Sequence, residues 1–351
     1  MKESLFGKSL DELITVVKEA GLPAYTARQI AEWLYKKRVD SIYDMTNLSK
    51  RARNYLEEKY TLGHAAPVNV MEAADGTKKY LFPAGENKFI ESAYIPEEKR
   101  NTLCLSCQVG CRMGCSFCMT GMQGLQGNLT AGEILNQVVS IPEADKITNL
   151  VYMGMGEPFD NTENVIRSVT ILTSEWGFAM SPRRITVSTI GIIPGIWKFL
   201  SETDAHLAVS MHTPFSDERM KLMPSENKYP LEEIMKVIKD YSWGRQRRIS
   251  FEYIMFSGIN DSDRHINELT RLLGGLRCRV NLIRFHSFPG VSYESSSDKT
   301  ILMFRDKLTS RGITTTIRAS RGEEIMAACG MLSTMKQGTV SRGQGEMKDE
   351  R

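Results

Sequence analysis

Residues 110–118, GCRMGCSFC, place Cys111, Cys115 and Cys118 in a C-x3-C-x2-C spacing. A structural zinc site takes four protein ligands and a disulfide takes two cysteines, so three clustered thiols fit neither. A 4Fe-4S cluster is normally held by four thiolates. Three thiolates on one loop therefore predict a cluster in which one iron stays open to a ligand from outside the protein. The alternative is three free thiols in a turn, but thiols this close in a cytosolic chain usually serve metal or redox chemistry.

The composition indicates a globular chain without a membrane segment. Its 351 residues are 41% hydrophobic and 25% charged, which leaves room for one large domain and a small one. No apolar run approaches the ~20 residues of a membrane helix, and the N-terminus lacks the apolar core of a signal peptide. We therefore expect a cytoplasmic protein with reduced thiols and, without a coiled coil or an apolar stripe, a monomer. The net charge of +3 means that any nucleic-acid contact must come from local clusters.

The patterning divides the chain into four parts and predicts an α/β fold. Residues 1–65 show helical spacing and form a small N-terminal helical domain, which either contacts nucleic acid or serves only in packing. Residues 66–97 contain two predicted strands around a turn and are interpreted as a β linker. From 98 to 335, short apolar runs alternate with amphipathic stretches, which indicates βα units around a parallel sheet or barrel. Residues 336–351 are polar and predict a flexible tail.

Candidate ligand-binding residues follow the predicted strands, where parallel α/β folds place their chemistry. After the second core strand, Gly156 allows close approach of the backbone to a ligand, and the Glu157 carboxylate can hold an ammonium group. The candidates at later strand ends are Ser188, Ser210, Met211, His212 and His286. Helix capping is the alternative for the serines, and a lone histidine is more often structural.

Two further cysteines lie near opposite ends of the predicted barrel sequence. Cys104 comes seven residues before the cluster loop, and Cys329 lies in the last predicted βα unit. A barrel brings its first and last strands together, so both thiols can reach one mouth, where they suggest covalent sulfur chemistry. The alternative is that both are small buried apolar residues, as free cysteines usually are.

The cysteine spacing, with aromatic Phe117 before the last cysteine, resembles the signature of the radical SAM superfamily. Over about residues 5–335 the chain is similar to the RlmN/Cfr family of RNA methyltransferases within that superfamily. The segments that carry the resemblance are Tyr94-Ile95-Pro96, Thr102-Leu103-Cys104, Gln108-Val109-Gly110-Cys111, Met153–Pro158, Phe288-Pro289-Gly290 and Arg318–Gly330. The resemblance implies a partial (β/α)6 barrel behind a small N-terminal helical domain that contacts RNA.

The family implies a reaction and its partners. An RlmN-type enzyme methylates carbon 2 of adenine in 23S rRNA, at the peptidyl-transferase centre, and in tRNA beside the anticodon. It uses one 4Fe-4S cluster, S-adenosylmethionine and an electron donor such as flavodoxin or ferredoxin. A Cfr-type methylation of carbon 8 is the alternative, although Pro158 after Glu157 favours carbon 2. An RNA-binding protein with a structural metal, or a radical enzyme acting on a peptide or small molecule, are further alternatives.

The resemblance also implies a role for individual positions. The implied cluster ligands are Cys111, Cys115 and Cys118, and the implied cofactor contacts are Gly156, Glu157, Ser188, Ser210, Met211, His212 and His286. Cys329 corresponds to the cysteine that carries the methyl group, and Cys104 to its partner in a transient disulfide. Glu91 corresponds to the proton acceptor, a role that Cys104 can also fill. His286 departs from the family, which often has asparagine there.

Overall fold

The computed structural model describes residues 2–244 and 247–332. The predicted tail, 336–351, and the last residues predicted for the core lie outside the described residues. Among the described residues, no helix is long and apolar enough to span a membrane.

The N-terminal part is helical, as its apolar spacing predicts. It contains α1 (Leu10–Glu19), α2 (Thr26–Ala31) continued by a π-helical turn, and α3 (Lys50–Lys59), bracketed by the short paired strands β1 (Glu3–Ser4) and β2 (Tyr60–Thr61). Helix α1 begins at Ser9, whose hydroxyl accepts from the amide of Glu12 while the Glu12 carboxylate accepts from the amide of Ser9. This reciprocal cap satisfies amide groups that would otherwise lack partners at the helix start.

A ten-stranded sheet organises the rest of the described chain. The remaining strands are β3 (Asn69–Glu72), β4 (Lys78–Pro83), β5 (Phe89–Glu97), β6 (Arg100–Cys104), β7 (Gln108–Val109), β8 (Gly127–Asn128), β9 (Asn149–Tyr152), β10 (Ile185–Thr189), β11 (His206–Ser210), β12 (Ile249–Met255), β13 (Cys278–Arg284) and β14 (Thr314–Ile317). Strands β7 and β8 pair only with each other, and the order in the large sheet is β14-β13-β12-β11-β10-β9-β6-β5-β4-β3.

Strand β6 and the strands β9 to β14 run parallel, and helical crossovers join them, so the predicted βα repeat is confirmed. The helices of these crossovers are α4 (Met119–Met122), α5 (Ala131–Val139), α6 (Thr162–Thr173), α7 (Ile193–Glu202), α8 (Ser216–Leu222), α9 (Leu231–Asp240), α10 (Asp263–Leu273) and α11 (Asp298–Ser310). Helices cover the outer face of these strands, where apolar side chains are buried, whereas polar side chains such as Ser250 and Asn281 face the cavity inside the barrel.

The segment interpreted as a linker is continuous with this sheet. Strands β3, β4 and β5 are antiparallel to one another, and β5 pairs with β6, so together they extend the barrel wall. After β14 the chain turns back toward the β3–β4 turn, where the Gly322 amide donates to the Asp75 carboxylate at 3.2 Å. The last described segment thus crosses from one edge of the sheet toward the other.

Candidate active site

The cluster loop joins β7 to α4 and needs glycine at its first turn. Gly110 has a φ of +72°, and a Cβ there would lie 1.8 Å from the carbonyl oxygen of Gly124. Gly114 also has a positive φ, +64°, but a Cβ there would meet no atom within 4 Å. Cys118 begins α4, and its amide donates to the carbonyl oxygen of Cys115 at 3.2 Å.

Gly110→Ala is expected to hinder assembly of this loop far more than Gly114→Ala. Both changes force a side chain into a left-handed conformation, which costs about 1–3 kcal/mol. Only the first also displaces the backbone of the facing turn. The iron content of the two variants after identical anaerobic reconstitution measures the effect, and an equal loss in both would contradict the packing argument.

The three loop thiols have the chemistry of cluster ligands. Burial raises the pKa of Cys111 to about 12 and also raises the pKa values of Cys115 and Cys118. Such thiols ionise when a metal takes the place of the proton, as in ligation to iron. No group of three His, Cys, Asp or Glu side chains in the described chain converges on a point suited to one metal ion. A cluster spreads its thiolates over separate irons, so the loop fits a 4Fe-4S cluster and does not fit a mononuclear zinc site.

Glu157 lies beside this loop, fully enclosed between the ends of β9 and β10. Its carboxylate accepts from the Thr189 hydroxyl at 2.6 Å and from the amides of Ile190 and Phe159 at 3.0 Å each. Gly156 has a φ of +100°, and a Cβ there would overlap the side chain of Gln108. These contacts fix the carboxylate rigidly, as recognition of an amino group requires.

Glu157→Gln is expected to remove a pH-dependent loss of stability. Burial raises the pKa of the Glu157 carboxyl from its ordinary value of 4.5 to about 7. Between these values the folded chain keeps a proton that the unfolded chain has lost, so the free energy of unfolding falls as pH rises through this window and is level above it. The amide cannot titrate, so the stability of the variant relative to wild type should rise by on the order of 3 kcal/mol across the window. Urea titrations of both cluster-free proteins, at pH values below and above this range, measure the difference. If the stability of the two proteins changed in parallel with pH, the raised pKa of Glu157 would be contradicted.

The four candidates on β10 and β11 divide into two pairs. Ser188 lies opposite Ala208 in the β10–β11 register, so Ser188 and Ser210 share the inward face of the barrel. Met211 and His212 are buried. Nδ1 of His212 accepts from the Ile254 amide at 3.0 Å, and its ring packs edge-on against Phe117 of the cluster loop. His212 therefore packs against the cluster loop. Its ring is neutral, since burial lowers its pKa to about 3.

A cavity of about 560 Å³ brings both predicted cysteines together with His286 inside the barrel. Cys104 is buried at the end of β6, Cys329 is exposed toward the cavity, and both are free thiols. Burial raises the pKa of Cys104 to about 12, and Cys329 adds to this shift. Nδ1 of His286 lies 3.4 Å from the Glu323 carboxylate. Arg318 lines the same cavity and lies 3.0 Å from Glu252.

Glu91 points to the same interior from β5 and has a cationic partner. Its carboxylate lies 3.2 Å from Nζ of Lys79, and both side chains are buried. Lys79 lies opposite Ala93 in the β4–β5 register, which makes it the diagonal neighbour of Glu91 on one face. Lys79 was not predicted from the sequence, although its period-2 relation to an inward-facing strand residue was a usable signal.

Arg219 is a second residue that was not predicted from the sequence, and it is fully buried beneath the strand ends. Its guanidinium pairs with Glu226 and donates to the carbonyl oxygens of Ile190, at 2.6 Å, and Ser210, at 3.2 Å. Arg219 thereby ties the ends of β10 and β11 together. A helix with neighbouring acidic residues gave no signal that this arginine is buried.

Two regions of the sequence match known families. Residues 105–269 match the radical SAM superfamily, and residues 4–62 match the ribosomal RNA large subunit methyltransferase N-terminal domain. A probable dual-specificity RNA methyltransferase RlmN of Bacteroides thetaiotaomicron is 55% identical over 336 residues, which are 96% of this chain and 97% of that protein. The dual-specificity RNA methyltransferase RlmN of Desulfotalea psychrophila is 43% identical over 95% of each chain.

The fold agrees with these relatives. The crystal structure of a radical SAM methyltransferase from Sphaerobacter thermophilus superimposes with a TM-score of 0.87 at 42% identity, covering 94% of this chain and 99% of that one. The predicted α/β radical SAM fold is therefore confirmed. With more than 40% identity to the RlmN proteins over nearly their full length, the chain belongs to the RlmN family of the radical SAM superfamily.

Proposed function

We propose that this protein methylates carbon 2 of adenine in 23S rRNA and in tRNA, and that Cys329 carries the methyl group. The observation that carries the proposal is that Cys104 and Cys329, distant in sequence, line one cavity as free thiols next to the cluster loop. The RlmN relatives are named as dual-specificity RNA methyltransferases, which supports RNA as the substrate.

The superfamily works with a 4Fe-4S cluster and S-adenosylmethionine. We assign Cys111, Cys115 and Cys118 as the cluster ligands, and Gly156, Glu157, Ser188, Ser210, Met211, His212 and His286 as the positions around S-adenosylmethionine. When bound, the cluster supplies the single electron that cleaves S-adenosylmethionine and starts radical chemistry. The rigidly held Glu157 carboxylate accepts from the amino group of that molecule.

A protein thiol is needed because carbon 2 of adenine is electron-poor and carries no acidic proton. The base therefore cannot attack a methyl sulfonium from that atom. The Cys329 thiolate can: its sulfur forms a bond to the methyl carbon of one S-adenosylmethionine while the sulfonium bond breaks. The 5′-deoxyadenosyl group released from a second S-adenosylmethionine would take one hydrogen atom from this S-methyl group, which leaves a carbon radical that bonds to carbon 2.

Cys104 releases the product. One electron of the adduct would return to the oxidised cluster and the proton would leave carbon 2, after which the Cys104 thiolate attacks the sulfur of Cys329. The sulfur–sulfur bond forms, the bond from Cys329 sulfur to the methylene carbon breaks, and that carbon takes a proton to become the new methyl group. The disulfide holds two fewer electrons than the two thiols, so a dithiol reductant must restore them before the next turnover.

Glu91 is the acceptor that we favour for the proton of carbon 2. Glu91 lies on the inward face of β5, and Nζ of Lys79 lies 3.2 Å from its carboxylate. The Cys104 thiol has its pKa raised to about 12 by burial, so it starts as the neutral form and must itself lose a proton before it attacks. The proton that Cys104 loses balances the one that the released methylene carbon takes up, so Glu91 accepts only the proton of carbon 2.

The proposal also covers the domain that contacts RNA, the electron donor and the cellular location of the enzyme. Residues 1–65 form an accessory domain that contacts RNA, which the match of residues 4–62 to a ribosomal RNA methyltransferase domain supports. The radical SAM core spans 98–335, and a flavodoxin or ferredoxin supplies electrons. The protein acts as a monomer in the cytoplasm, where its RNA substrates are found.

Analysis of the product by mass spectrometry tests the function. The reconstituted protein is incubated anaerobically with reductant, S-adenosylmethionine and an rRNA fragment, and the RNA is digested to nucleosides. We expect 2-methyladenosine, and peptide mapping of protein treated without RNA should locate one methyl group on Cys329. A product of 8-methyladenosine would assign the chain to the Cfr-type reaction instead. Cleavage of S-adenosylmethionine with unmodified RNA would point to another substrate.

A further inference from the structure

The amino end of the barrel carries positive charge that the proposed chemistry does not use. Arg100, Arg248 and Arg279 lie at or next to the first residues of β6, β12 and β13 and line the cavity of about 560 Å³. Parallel strands begin at the same edge of a sheet, so these side chains share one rim. Arg183, before β10, completes what is called here the arginine rim. Outside it lies a second cavity of about 590 Å³, which shares Arg183, Arg248 and Arg279 with the first.

Much of this charge lacks a protein counterion. The cavity lining contains seven arginines and a single carboxylate, that of Glu97. Three of the arginines are paired elsewhere: Arg284 with Asp298, Arg318 with Glu252 and Arg321 with Asp75. In the described part of the chain, no carboxylate lies within 4.0 Å of Arg100, Arg248 or Arg279. Seven arginines against one carboxylate, that of Glu97, leave the cavity with an excess of positive charge, which indicates an anionic ligand.

His206 adds a polar donor to the same place. It is the first residue of β11, is 8% exposed and lines the first cavity. Its Nδ1 accepts from the Arg248 amide at 3.1 Å, so Nε2 carries the proton. Burial, reinforced by the charge of Arg248, lowers the pKa of His206 to about 4, which keeps the ring neutral near pH 7. Nε2 is a buried donor without a hydrogen-bond partner among the described residues.

We infer that His206 and the arginine rim bind phosphodiester groups of the RNA strand next to the target adenine. Phosphate oxygens accept from a neutral imidazole N–H and from guanidinium forks, and phosphodiesters keep their charge at every physiological pH. The inference rests on the proposed function, because that function makes RNA the anion that occupies the barrel.

The dimensions of the barrel suit this arrangement. From Arg100 to Cys104 the strand β6 advances four residues, or roughly 13 Å. The rim thus holds the backbone outside while a base that is turned out of its stack extends through the cavity toward Cys104 and Cys329. Phosphate contacts of this kind fix position without reading the sequence, which suits an enzyme that accepts two kinds of RNA.

Binding measurements with charge-neutralised variants test the inference. The reconstituted protein, with S-adenosylmethionine and without reductant, is titrated into a fluorescein-labelled RNA hairpin that carries the target adenine in its loop. We expect Arg248→Gln, Arg279→Gln and His206→Ala each to weaken binding roughly tenfold or more. The slope of log affinity against log salt should fall by about 0.7–0.9 for each arginine that held a phosphate. The matched control is Arg271→Gln on the outer face of α10, which should change neither quantity.

A modified RNA separates a phosphate contact from a change in structure. In this hairpin, one phosphate beside the adenine is replaced by a neutral methylphosphonate. The replacement should lower the affinity of wild type to that of the arginine variant that lacks the contact to this phosphate, and it should not lower the affinity of that variant further. Additive losses at every position tested, or an unchanged affinity in both arginine variants, would overturn the rim assignment. Methylation by wild type is measured in parallel so that the two proposals are tested separately. If wild type methylates the RNA but the rim variants bind it as tightly as wild type, only the assignment of the arginine rim is contradicted. If binding depends on the rim but the RNA is not methylated, only the proposed function is contradicted.

Discussion

Replacing Cys104 by alanine is expected to leave RNA covalently attached to Cys329 and to reduce turnover by roughly 10³-fold or more. The variant keeps the methyl-carrying thiol, so every step up to the bond between the methylene carbon and carbon 2 can proceed. The thiolate at the end of β6 that breaks the bond from sulfur to the methylene carbon is missing in this variant. Denaturing electrophoresis of a reaction with labelled RNA measures the adduct directly.

The contrast with Cys329→Ala makes this prediction specific. That variant has no sulfur to methylate, so it should yield neither 2-methyladenosine nor an adduct, while cleavage of S-adenosylmethionine continues. The double variant should behave like Cys329→Ala. Free 2-methyladenosine formed at the wild-type rate by Cys104→Ala would show that release does not use this thiol.

Arg219→Leu is expected to destabilise the fold by about 3–5 kcal/mol. The change leaves the Glu226 carboxylate buried and unpaired, since the side chains of the pair are 0% and 1% exposed. It also removes the donors to the carbonyl oxygens of Ile190 and Ser210 at the barrel mouth. The shift of the urea midpoint, followed by circular dichroism on the cluster-free protein, measures the cost.

An exposed ion pair provides the control. Arg271 pairs with Glu268 on α10, where the arginine side chain is 72% exposed. Arg271→Leu should cost no more than about 1 kcal/mol. Adding Glu226→Leu to Arg219→Leu should recover part of the loss because it removes the unpaired charge. Equal effects of Arg219→Leu and Arg271→Leu would mean that the buried pair does not brace the strand ends.

The elements with a strong local pattern were predictable from the sequence. The alternation of short apolar runs with amphipathic stretches predicted the βα units, and the structure has strands β9 to β14 with helices between them. The meeting of Cys104 and Cys329 in one cavity was also foreseen, because barrel closure is a property of the topology rather than of either residue.

Features that depend on partners distant in sequence were not predictable. Strand β6 begins with Arg100 and Asn101 and therefore shows no apolar run, although it pairs on both sides. Lys79 looks like an ordinary strand lysine until the register places it beside Glu91. The sequence does not indicate that His206 has an unpartnered Nε2–H. That feature arises because Nδ1 of His206 accepts from the backbone amide of Arg248, next to the following strand.

The segment that carries Cys329 is hydrogen-bonded to α4, the helix that follows the cluster loop. The Met119 amide donates to the Gly330 carbonyl oxygen at 2.9 Å, and the Thr120 hydroxyl donates to that of Leu332 at 2.7 Å. We therefore expect that iron bound at the cluster loop also stabilises the segment that carries Cys329. Hydrogen exchange at the Met119 amide should slow together with exchange in the cluster loop when iron is added. Loss of the metal should then also loosen the segment that carries Cys329, although that segment is about 210 residues away from the cluster loop in sequence.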